Sequence, residues 1–230
     1  MIKLFKKINS SIRKILFAKS QRRKIKKKNS LIHSFYNNKT IFIHIPKTAG
    51  ISIIKSIYGN VTNEGHRSIY FYKQVFEKNF NDFFTFSFVR NPYDRLYSSY
   101  KFLESGGMNE YDKIAFQKYL SKFSDFEDFV LNGLNNKIIY EIIHFVPQSE
   151  FICDKNGKIM VDFVGRFENL NNDLNTISIK TNKVFTLGHH NKNFKKNYRK
   201  IYNNDMKIKV YEVYKRDFVV FNYNFSNNNA

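Results

Sequence analysis

The segment IFIHIPKTAG, residues 41–50, runs from an apolar stretch into a short polar turn that contains Lys47. The residues that follow, ISIIKSIYG, have the apolar spacing of a helix, so the turn joins a predicted strand to a predicted helix. At such a junction, backbone N–H groups of the first helical turn point the same way as the lysine ammonium and the hydroxyls of Thr48 and Ser52. This combination predicts an anion site, with phosphate as the preferred ligand.

A second candidate anion site follows the apolar run FFTFSFV, residues 83–89. Arg90 ends this predicted strand, and the next residues, NPYD, have the N-cap, the proline and the acidic side chain that begin a helix. Ser98 then lies about two turns into that helix. An arginine offers a fork of donors and a serine offers one, so Arg90 and Ser98 can converge on one phosphate. The alternative is that Arg90 pairs with Asp94 while Ser98 faces solvent.

The rest of the chain alternates between strand and helix patterns. Strands are predicted at 41–45, 83–89 and within 151–167, the last as a hairpin turned at Asn156–Gly157 or as two consecutive strands. Helices are predicted at 51–58, 67–79, 92–104, 111–120, 124–134, 168–180 and 204–221. This order indicates an α/β fold of three layers, P-loop-like, with a central parallel sheet flanked by helices. Ligands bind such sheets beyond the carboxyl ends of the strands, where Lys47 and Arg90 lie.

The basic charge is concentrated at the amino terminus. Residues 1–30 contain twelve of the 39 Lys and Arg side chains and none of the 19 Asp and Glu side chains. Apolar residues recur there at helical spacing, which predicts a basic amphipathic helix. We therefore divide the chain into a basic arm, 1–30, and one domain, 31–230. Residues 1–28 either attach to an anionic membrane surface or form a solvated arm.

Composition narrows the classes of function. The formal net charge of +20 is typical of nucleic-acid-binding proteins, but much of it belongs to the arm, so no nucleic-acid partner is expected. No apolar run is long enough for a signal-peptide core or a membrane-spanning helix. One cysteine, Cys153, leaves no internal disulfide or multi-thiolate metal site and suits a reducing compartment. We expect a cytoplasmic protein, peripheral at the inner membrane face if the arm binds lipid.

Four segments together resemble a known family: HIPKTAGIS, FVRNPYDRLYSSY, DFVGRFENL and YKRDFVVFNY. They are similar to the signature blocks of carbohydrate sulfotransferases that use 3′-phosphoadenosine 5′-phosphosulfate (PAPS). The group resembled is the one related to heparan 2-O- and chondroitin sulfotransferases, including its short bacterial members. The resemblance spans about residues 40–224.

The resemblance implies a role for each anion site. The residues implied for the 5′-phosphosulfate are Pro46, Lys47, Thr48, Ala49, Gly50 and Ser52. Arg90 and Ser98 are implied for the 3′-phosphate, which the product adenosine 3′,5′-bisphosphate retains. Lys47 then stabilises the charge that develops on the leaving phosphate, no metal is expected, and the partner is a carbohydrate or glycolipid acceptor. Ile51 departs from the family, which usually has a Thr hydroxyl there.

The acceptor hydroxyl needs a base, because its pKa lies far above neutrality. Among the six histidines, His66 is the first candidate, since members of the resembled family often use a histidine between the lysine loop and the second strand. His189 is the second candidate; its family counterpart resembles a Pro-His pair, and Gly188 replaces the proline here. His44, inside the first predicted strand, is assigned to the core.

Two other classes of function remain open. One is a Mg²⁺-dependent kinase or NTPase, with Asp162 in IMVDF as metal ligand, although the lysine precedes the glycine of the loop, unlike the order of a nucleotide P-loop. The other is a basic module that binds anionic surfaces through the arm. RFENL, residues 166–170, either closes the site with Arg166 or caps backbone donors. Segments 104–118 and 133–148 are expected to select the acceptor, and the sequence indicates neither the acceptor nor the oligomeric state.

Overall fold

The structure is a computed structural model that describes residues 12–62, 65–183, 185 and 198–226. Its sheet consists of β1 Thr40–Ile43, β2 Phe84–Val89 and β3 Phe163–Arg166, in the order β1-β2-β3. Both strand pairs are parallel, with Thr40 opposite Phe84 and Phe86 opposite Phe163. Helices connect the strands and flank the sheet, so the predicted α/β class with a central parallel sheet is confirmed.

Helices account for most of the remaining described chain. Helix α1 covers residues 12–20. The other α-helices are α2 Leu31–Asn38, α3 Gly50–Tyr58, α4 Ile69–Phe76, α5 Pro92–Glu104, α6 Glu110–Tyr119, α7 Phe126–Asp128, α8 Ile138–Glu141, α9 Ser149–Ile152, α10 Leu170–Thr181 and α11 Asn204–Val220. Shorter 3₁₀ turns lie at Gln21–Lys26, Glu77–Asp82, Phe167–Asn169 and Tyr198–Lys200, and a π-helical turn at Phe129–Gly133.

Local signals set some helix bounds accurately and missed others. The prediction of 92–104 coincides with α5, because the Asn91 side chain accepts a hydrogen bond from the backbone N–H of Tyr93 and Pro92 opens the helix. The prediction of 67–79 is too long. Helix α4 ends at Phe76, and Glu77 takes a left-handed φ of 45° that an α-helix cannot continue.

The prediction of two strands within 151–167 is wrong in its first half. Residues 149–152 form α9, and the only pairing that follows is an isolated antiparallel bridge between Cys153 and Ile159. The predicted turn is present, with Gly157 at a φ of 87°. The apolar residues before it are buried by side-chain packing instead of by pairing with a strand, and β3 alone joins the sheet.

Aromatic side chains fill the space around the sheet. Phe42 of β1 and Phe86 of β2 stack with their ring centroids 5.2 Å apart, and Phe88 meets Phe42 edge to face at 6.5 Å. The part of the arm that the structure describes packs on the same body, since Ala18 of α1 is buried. The division between arm and domain at residue 30 stays a prediction.

Candidate anion-binding and catalytic site

The loop between β1 and α3 has an unusual backbone. Lys47 has a φ of 68° and Ala49 a φ of 65°, values that residues with a Cβ atom rarely adopt. Thr48 between them is completely buried, and its hydroxyl donates to the carbonyl of Ile45 at 2.9 Å. The predicted alignment of the Thr48 hydroxyl with the lysine ammonium is therefore wrong, because that hydroxyl holds the turn closed. Two left-handed residues so close together are typical of a functional loop.

The first turn of α3 is open to a ligand. No side chain caps it, whereas Ser30 caps α2 by accepting from the backbone N–H of His33 at 3.1 Å. Gly50 begins the helix in close contact with the buried His44 ring, and Ser52 lies half-buried on the first turn. An uncapped helix start that follows a parallel strand can bind an anion through its N–H groups.

The Lys47 ammonium lies over an aromatic ring. Its Nζ is 4.0 Å from the ring centroid of Phe102 on α5, a cation–π contact. Burial and, to a smaller extent, the positive charge of Arg90 lower the pKa of Lys47 to about 8, against the opposing effect of the Asp112 carboxylate. The side chain is therefore a partly desolvated cation, which is stabilised by an incoming anion.

Arg90 joins the two predicted anion sites. Its Nη1 donates to the backbone carbonyl of Lys47 at 3.0 Å, and its Nε donates to the Asp94 carboxylate at 2.8 Å. The guanidinium also lies 4.1 Å from the centroid of the Phe167 ring. The ion pair with Asp94 is thus present, and the same arginine contacts the lysine loop. The two predicted anion sites therefore lie next to each other at one edge of the sheet, in the order that parallel strands require.

Ser98 lies on α5, the helix that begins two residues after Arg90. It is half-buried and one helical turn after Asp94, so both residues face the same side of the helix. Within the described residues its hydroxyl has no hydrogen-bond partner. Convergence of Ser98 and Arg90 on one phosphate stays a prediction that this placement permits.

The backbone at the end of β2 is fixed by side chains from distant segments. The buried Gln148 amide accepts from the backbone N–H of Arg90 at 2.8 Å and donates to its carbonyl at 2.9 Å. The Asp217 carboxylate of α11 accepts from the backbone N–H of Gln148 at 2.7 Å. Asn91 donates through Nδ2 to the carbonyl of Asn224 at 2.8 Å. These bonds set the position from which the guanidinium extends.

The segment RFENL supports the same strand end. Glu168 accepts from the backbone N–H of Asn91 at 2.7 Å and from the Tyr223 hydroxyl at 2.8 Å. Arg166 donates to the carbonyl of Phe221 at 2.8 Å and lies 4.6 Å from the centroid of the Tyr223 ring. The capping interpretation therefore holds for Glu168, and Arg166 fastens the carboxyl-terminal segment instead of closing the site.

His66, the first candidate base, lies beside the strand that leads into the lysine loop. Its Nδ1 is 3.0 Å from the carbonyl oxygen of His44, and the two rings are 4.3 Å apart between centroids. A carbonyl oxygen only accepts, so Nδ1 carries the hydrogen and Nε2 has a free lone pair. Burial lowers the pKa of His66 to about 4, against the raising effect of the bond to His44. The ring is neutral at pH 7 and able to take a proton.

Of the other two histidines considered in the sequence, the structure describes His44 but not His189. His44 is 4% exposed and its ring stacks on Phe42 at 5.8 Å, which agrees with its assignment to the core. It lies one residue beyond β1 instead of within it. His189 and Gly188 lie outside the described residues, so the second choice of base stays a prediction.

Sequence reasoning missed a second polar pair at the site. The Nε2 of His144 lies 3.0 Å from Oδ1 of Asp112, and both residues are buried. The His144 ring is 5.7 Å from that of His66 and 4.9 Å from that of Phe102, the ring beneath the Lys47 ammonium. The signal in the sequence was the asparagine cap and acidic first turn of α6, which identify a helix start without showing what Asp112 binds.

The described residues contain neither a metal-binding cluster nor a membrane-spanning helix. No cluster of three or more His, Cys, Asp or Glu side chains there has an arrangement suited to a metal ion. None of the helices in those ranges combines the length and the hydropathy needed to cross a membrane.

Comparison with known proteins supplied one match. A profile described as "Sulfotransferase family" matches residues 35–224, which is more than half of the chain. The matched range includes the lysine loop, Arg90, His66 and the Asp112–His144 pair. Comparisons with curated proteins and with solved structures returned no match.

Proposed function

Because the chain belongs to the sulfotransferase family, whose enzymes transfer sulfate, we propose that its donor is PAPS and its acceptor a hydroxyl of a carbohydrate or glycolipid. The hydrogen bond from Arg90 to the Lys47 carbonyl carries this proposal. It connects the Arg90 side chain to the backbone of Lys47, so two cationic residues lie together at the carboxyl ends of adjacent parallel strands. A donor with separate 5′ and 3′ anionic groups needs two such sites at a fixed separation.

The residues present fit the two ends of this donor. The uncapped start of α3 and the Lys47 ammonium suit the 5′-phosphosulfate, since both are donors without a carboxylate partner in the described part of the chain. The Nη2 group of Arg90 remains for the 3′-phosphate, because Nε and Nη1 already bind Asp94 and the Lys47 carbonyl. Ser98 supplies a hydroxyl on the adjoining face of α5. Ile51 contributes only its backbone N–H.

Each residue then has a defined task in sulfuryl transfer. The donor supplies an activated sulfuryl group, and its leaving group is a phosphate. Lys47 stabilises the negative charge that grows on that phosphate, an effect that is strong in a partly desolvated site. His66 accepts the proton of the acceptor hydroxyl at Nε2, while its Nδ1–H stays on the His44 carbonyl. The positions of these groups align the acceptor with the sulfuryl group.

The kinase or NTPase alternative has less support. Asp162, its expected Mg²⁺ ligand, accepts from the backbone N–H of Thr85 at 2.7 Å and from the Thr85 hydroxyl at 2.8 Å. One oxygen of the carboxylate therefore connects the segment before β3 to β2. The lysine loop also lacks the glycine-lysine order of a nucleotide P-loop.

The donor assignment is tested by calorimetric titration without added metal. We expect micromolar binding of adenosine 3′,5′-bisphosphate and much weaker binding of ATP. Arg90→Ala should weaken bisphosphate binding about ten- to a hundredfold, the scale of lost hydrogen bonds to a charged group. Arg23→Ala, an exposed arginine of the arm, is the matched control and should bind like the wild type. Equal affinity of wild type and Arg90→Ala would contradict the assignment of the 3′-phosphate, and ATP binding only with Mg²⁺ would favour the alternative.

A further inference from the structure

We propose that His144, oriented by Asp112, is a second proton-accepting residue of the site and receives from His66 the proton of the acceptor hydroxyl. This inference rests on the proposed sulfuryl transfer. The two rings are in edge-to-face contact, with centroids 5.7 Å apart and an interplanar angle of 76°. They connect the lysine loop to helix α6 through Asp112.

Hydrogen bonding determines the tautomer of each ring. His144 must donate from Nε2 to the Asp112 carboxylate, because an ionised carboxylate only accepts. Its Nδ1 is then without hydrogen, buried, and without a hydrogen-bond partner in the described residues. His66 likewise directs its hydrogen to the His44 carbonyl. Each of the two adjacent neutral rings thus has one nitrogen lone pair that can accept a proton, Nε2 in His66 and Nδ1 in His144.

The Asp112 carboxylate makes His144 the better place for that proton. A protonated His144 would donate directly to a carboxylate at 3.0 Å, whereas a protonated His66 would donate to the neutral carbonyl of His44. The positive charge of Lys47 opposes protonation of both rings, so the direct bond to Asp112 makes the difference. Burial lowers the pKa of His144, and the hydrogen bond and charge of Asp112 oppose this. The pKa of His66 falls to about 4, so His66 can take the proton in passing and does not retain it.

The pair is held in place by its surroundings. Asp112 also accepts from the backbone N–H of Met108 at 2.9 Å and from the Asn109 side chain at 3.0 Å. Gly107 packs so closely that a Cβ atom there would lie 2.1 Å from that of Asp112. On the other side, the Ser99 hydroxyl donates to the His144 carbonyl at 3.0 Å. A buried polar atom left unpaired in so rigid a setting costs free energy and is typical of a functional group.

The proton moves in a balanced sequence. The acceptor O–H bond breaks as its oxygen bonds to sulfur, and the proton goes to Nε2 of His66. It then passes to Nδ1 of His144, where the Asp112 carboxylate stabilises the imidazolium, and it returns to solvent after the product leaves. The charged and titratable groups around His144 are Asp112, Lys47, Arg95, His66 and His44.

The tautomer is tested by imidazole nitrogen NMR of the full chain, with His144→Gln to assign the resonances. We expect hydrogen on Nε2 of His144 in the wild type. In Asp112→Asn the amide can donate to Nε2, which moves the hydrogen to Nδ1 and removes the free lone pair. Asp82→Asn, an exposed carboxylate in a 3₁₀ turn, should leave the tautomer unchanged. Hydrogen on Nδ1 of wild-type His144 would overturn the proposal.

Kinetics with PAPS and an acceptor found by labelled-sulfate screening give a second readout. His144→Gln and Asp112→Asn should lower kcat about a hundredfold or more, the usual effect of losing an acid–base group. In Asp112→Asn the acid limb of the kcat profile should also move to lower pH, since His144 loses the carboxylate that raises its pKa. A purely structural pair would change stability and leave this limb in place.

Different results would overturn the proposed donor and the proposed role of His144. If the wild type does not bind adenosine 3′,5′-bisphosphate, the proposed donor is wrong. If adenosine 3′,5′-bisphosphate binds equally well to the wild type and to Asp112→Asn, and both proteins transfer sulfate at the same rate, only the role of His144 is overturned.

We also propose, on separate observations, that α1 and the turn after it bind an anionic lipid surface. Ile12 is 47% exposed and Leu16 60% exposed, and they lie one helical turn apart on one face of α1. The opposite side is fixed, because Ala18 is buried in the core. The basic residues of this described part of the arm are Arg13, Lys14, Lys19, Arg22, Arg23, Lys24 and Lys26.

The arm is attached to the body at a defined point. Arg22 donates to the carbonyl of Val75 at 3.1 Å and to that of Gln74 at 2.9 Å, and it pairs with Glu77. The Phe17 ring packs on that of Phe71 at 6.1 Å. The apolar face is thereby held outward among cations, in a region whose sequence contains no acid up to residue 30. This combination fits the interface of an anionic bilayer better than it fits a polyanion, which needs no apolar contact.

Cosedimentation of the full chain with vesicles tests this surface. We expect binding to vesicles of phosphatidylcholine with phosphatidylglycerol and little binding to phosphatidylcholine alone. Leu16→Ser should weaken binding about tenfold, because one apolar side chain leaves the lipid. Ile208→Ser, on α11 with 59% exposure, is the matched control and should have no effect. Equal binding by the two variants, or binding to polyuridylate without binding to vesicles, would overturn the proposal.

Discussion

Lys47→Ala is expected to lower sulfate transfer at least about a hundredfold, the scale of losing one charge partner in the transition state. The ammonium extends from a loop of left-handed residues over the Phe102 ring. No other lysine has this position among the described residues, so a neighbouring group cannot replace it. The measurement is kcat with PAPS and an identified acceptor.

Two controls make this result specific. Lys55→Ala removes an exposed lysine of the adjacent helix α3 and should leave kcat unchanged. The free enzyme should also lose kcat/KM as the pH rises through about 8, because the lowered pKa of Lys47 makes the ammonium lose its proton there. Lys47→Arg should move this alkaline limb to higher pH, since arginine stays charged. Similar turnover of Lys47→Ala and Lys55→Ala would remove Lys47 from the mechanism.

Gly50→Ala is expected to destabilise the fold by about 1–3 kcal/mol, the cost of overpacking a rigid interior. A Cβ atom at Gly50 would lie 1.9 Å from Cδ2 and 2.0 Å from Nε2 of the His44 ring. That ring is buried and in contact with the rings of Phe42 and His66, so moving it would disturb both contacts. Urea denaturation followed by fluorescence or circular dichroism measures the change.

The adjacent position provides a control of opposite sign. Ala49 has a φ of 65°, a conformation that glycine adopts without steric cost. Ala49→Gly should therefore leave the free energy of unfolding unchanged or raise it, although the substituted residues are neighbours. Equal denaturation midpoints for Gly50→Ala and the wild type would show that the His44 ring can move aside.

Local features of the sequence were enough to indicate which residues lie together at the candidate site. The Asn91-Pro92 pair fixed the start of α5, and the parallel order placed the lysine loop beside Arg90, which the bond from Nη1 to the Lys47 carbonyl confirms. The histidine chosen as base lies next to that loop. In each case the signal lay within a few residues of the group that it positions.

The features that were missed depend on long-range packing. Asp112 and His144 are separated by 32 residues and meet only because α5, α6 and the segment after α8 pack together. No local pattern in the sequence indicates that Phe102 lies under the lysine ammonium. The apolar run before Cys153 was equally suited to a strand or a buried helical turn, and the contacts of α9 with α11 decided between them.

Three hydrogen bonds at the end of β2 also bear on synthesis of the protein: Arg90 to Gln148, Gln148 to Asp217, and Asn91 to Asn224. A ribosome makes the lysine loop and both flanking strands long before it makes α11. Until residue 224 has left the exit tunnel, the end of β2 lacks the bonds that fix it, even though its own sequence is complete. A nascent or prematurely terminated chain can therefore contain every residue proposed to contact the donor and still lack a finished 3′-phosphate site. The proposed donor site is therefore completed only after residue 224 has been synthesised, and a chain that stops before this residue is expected to bind the proposed donor less tightly.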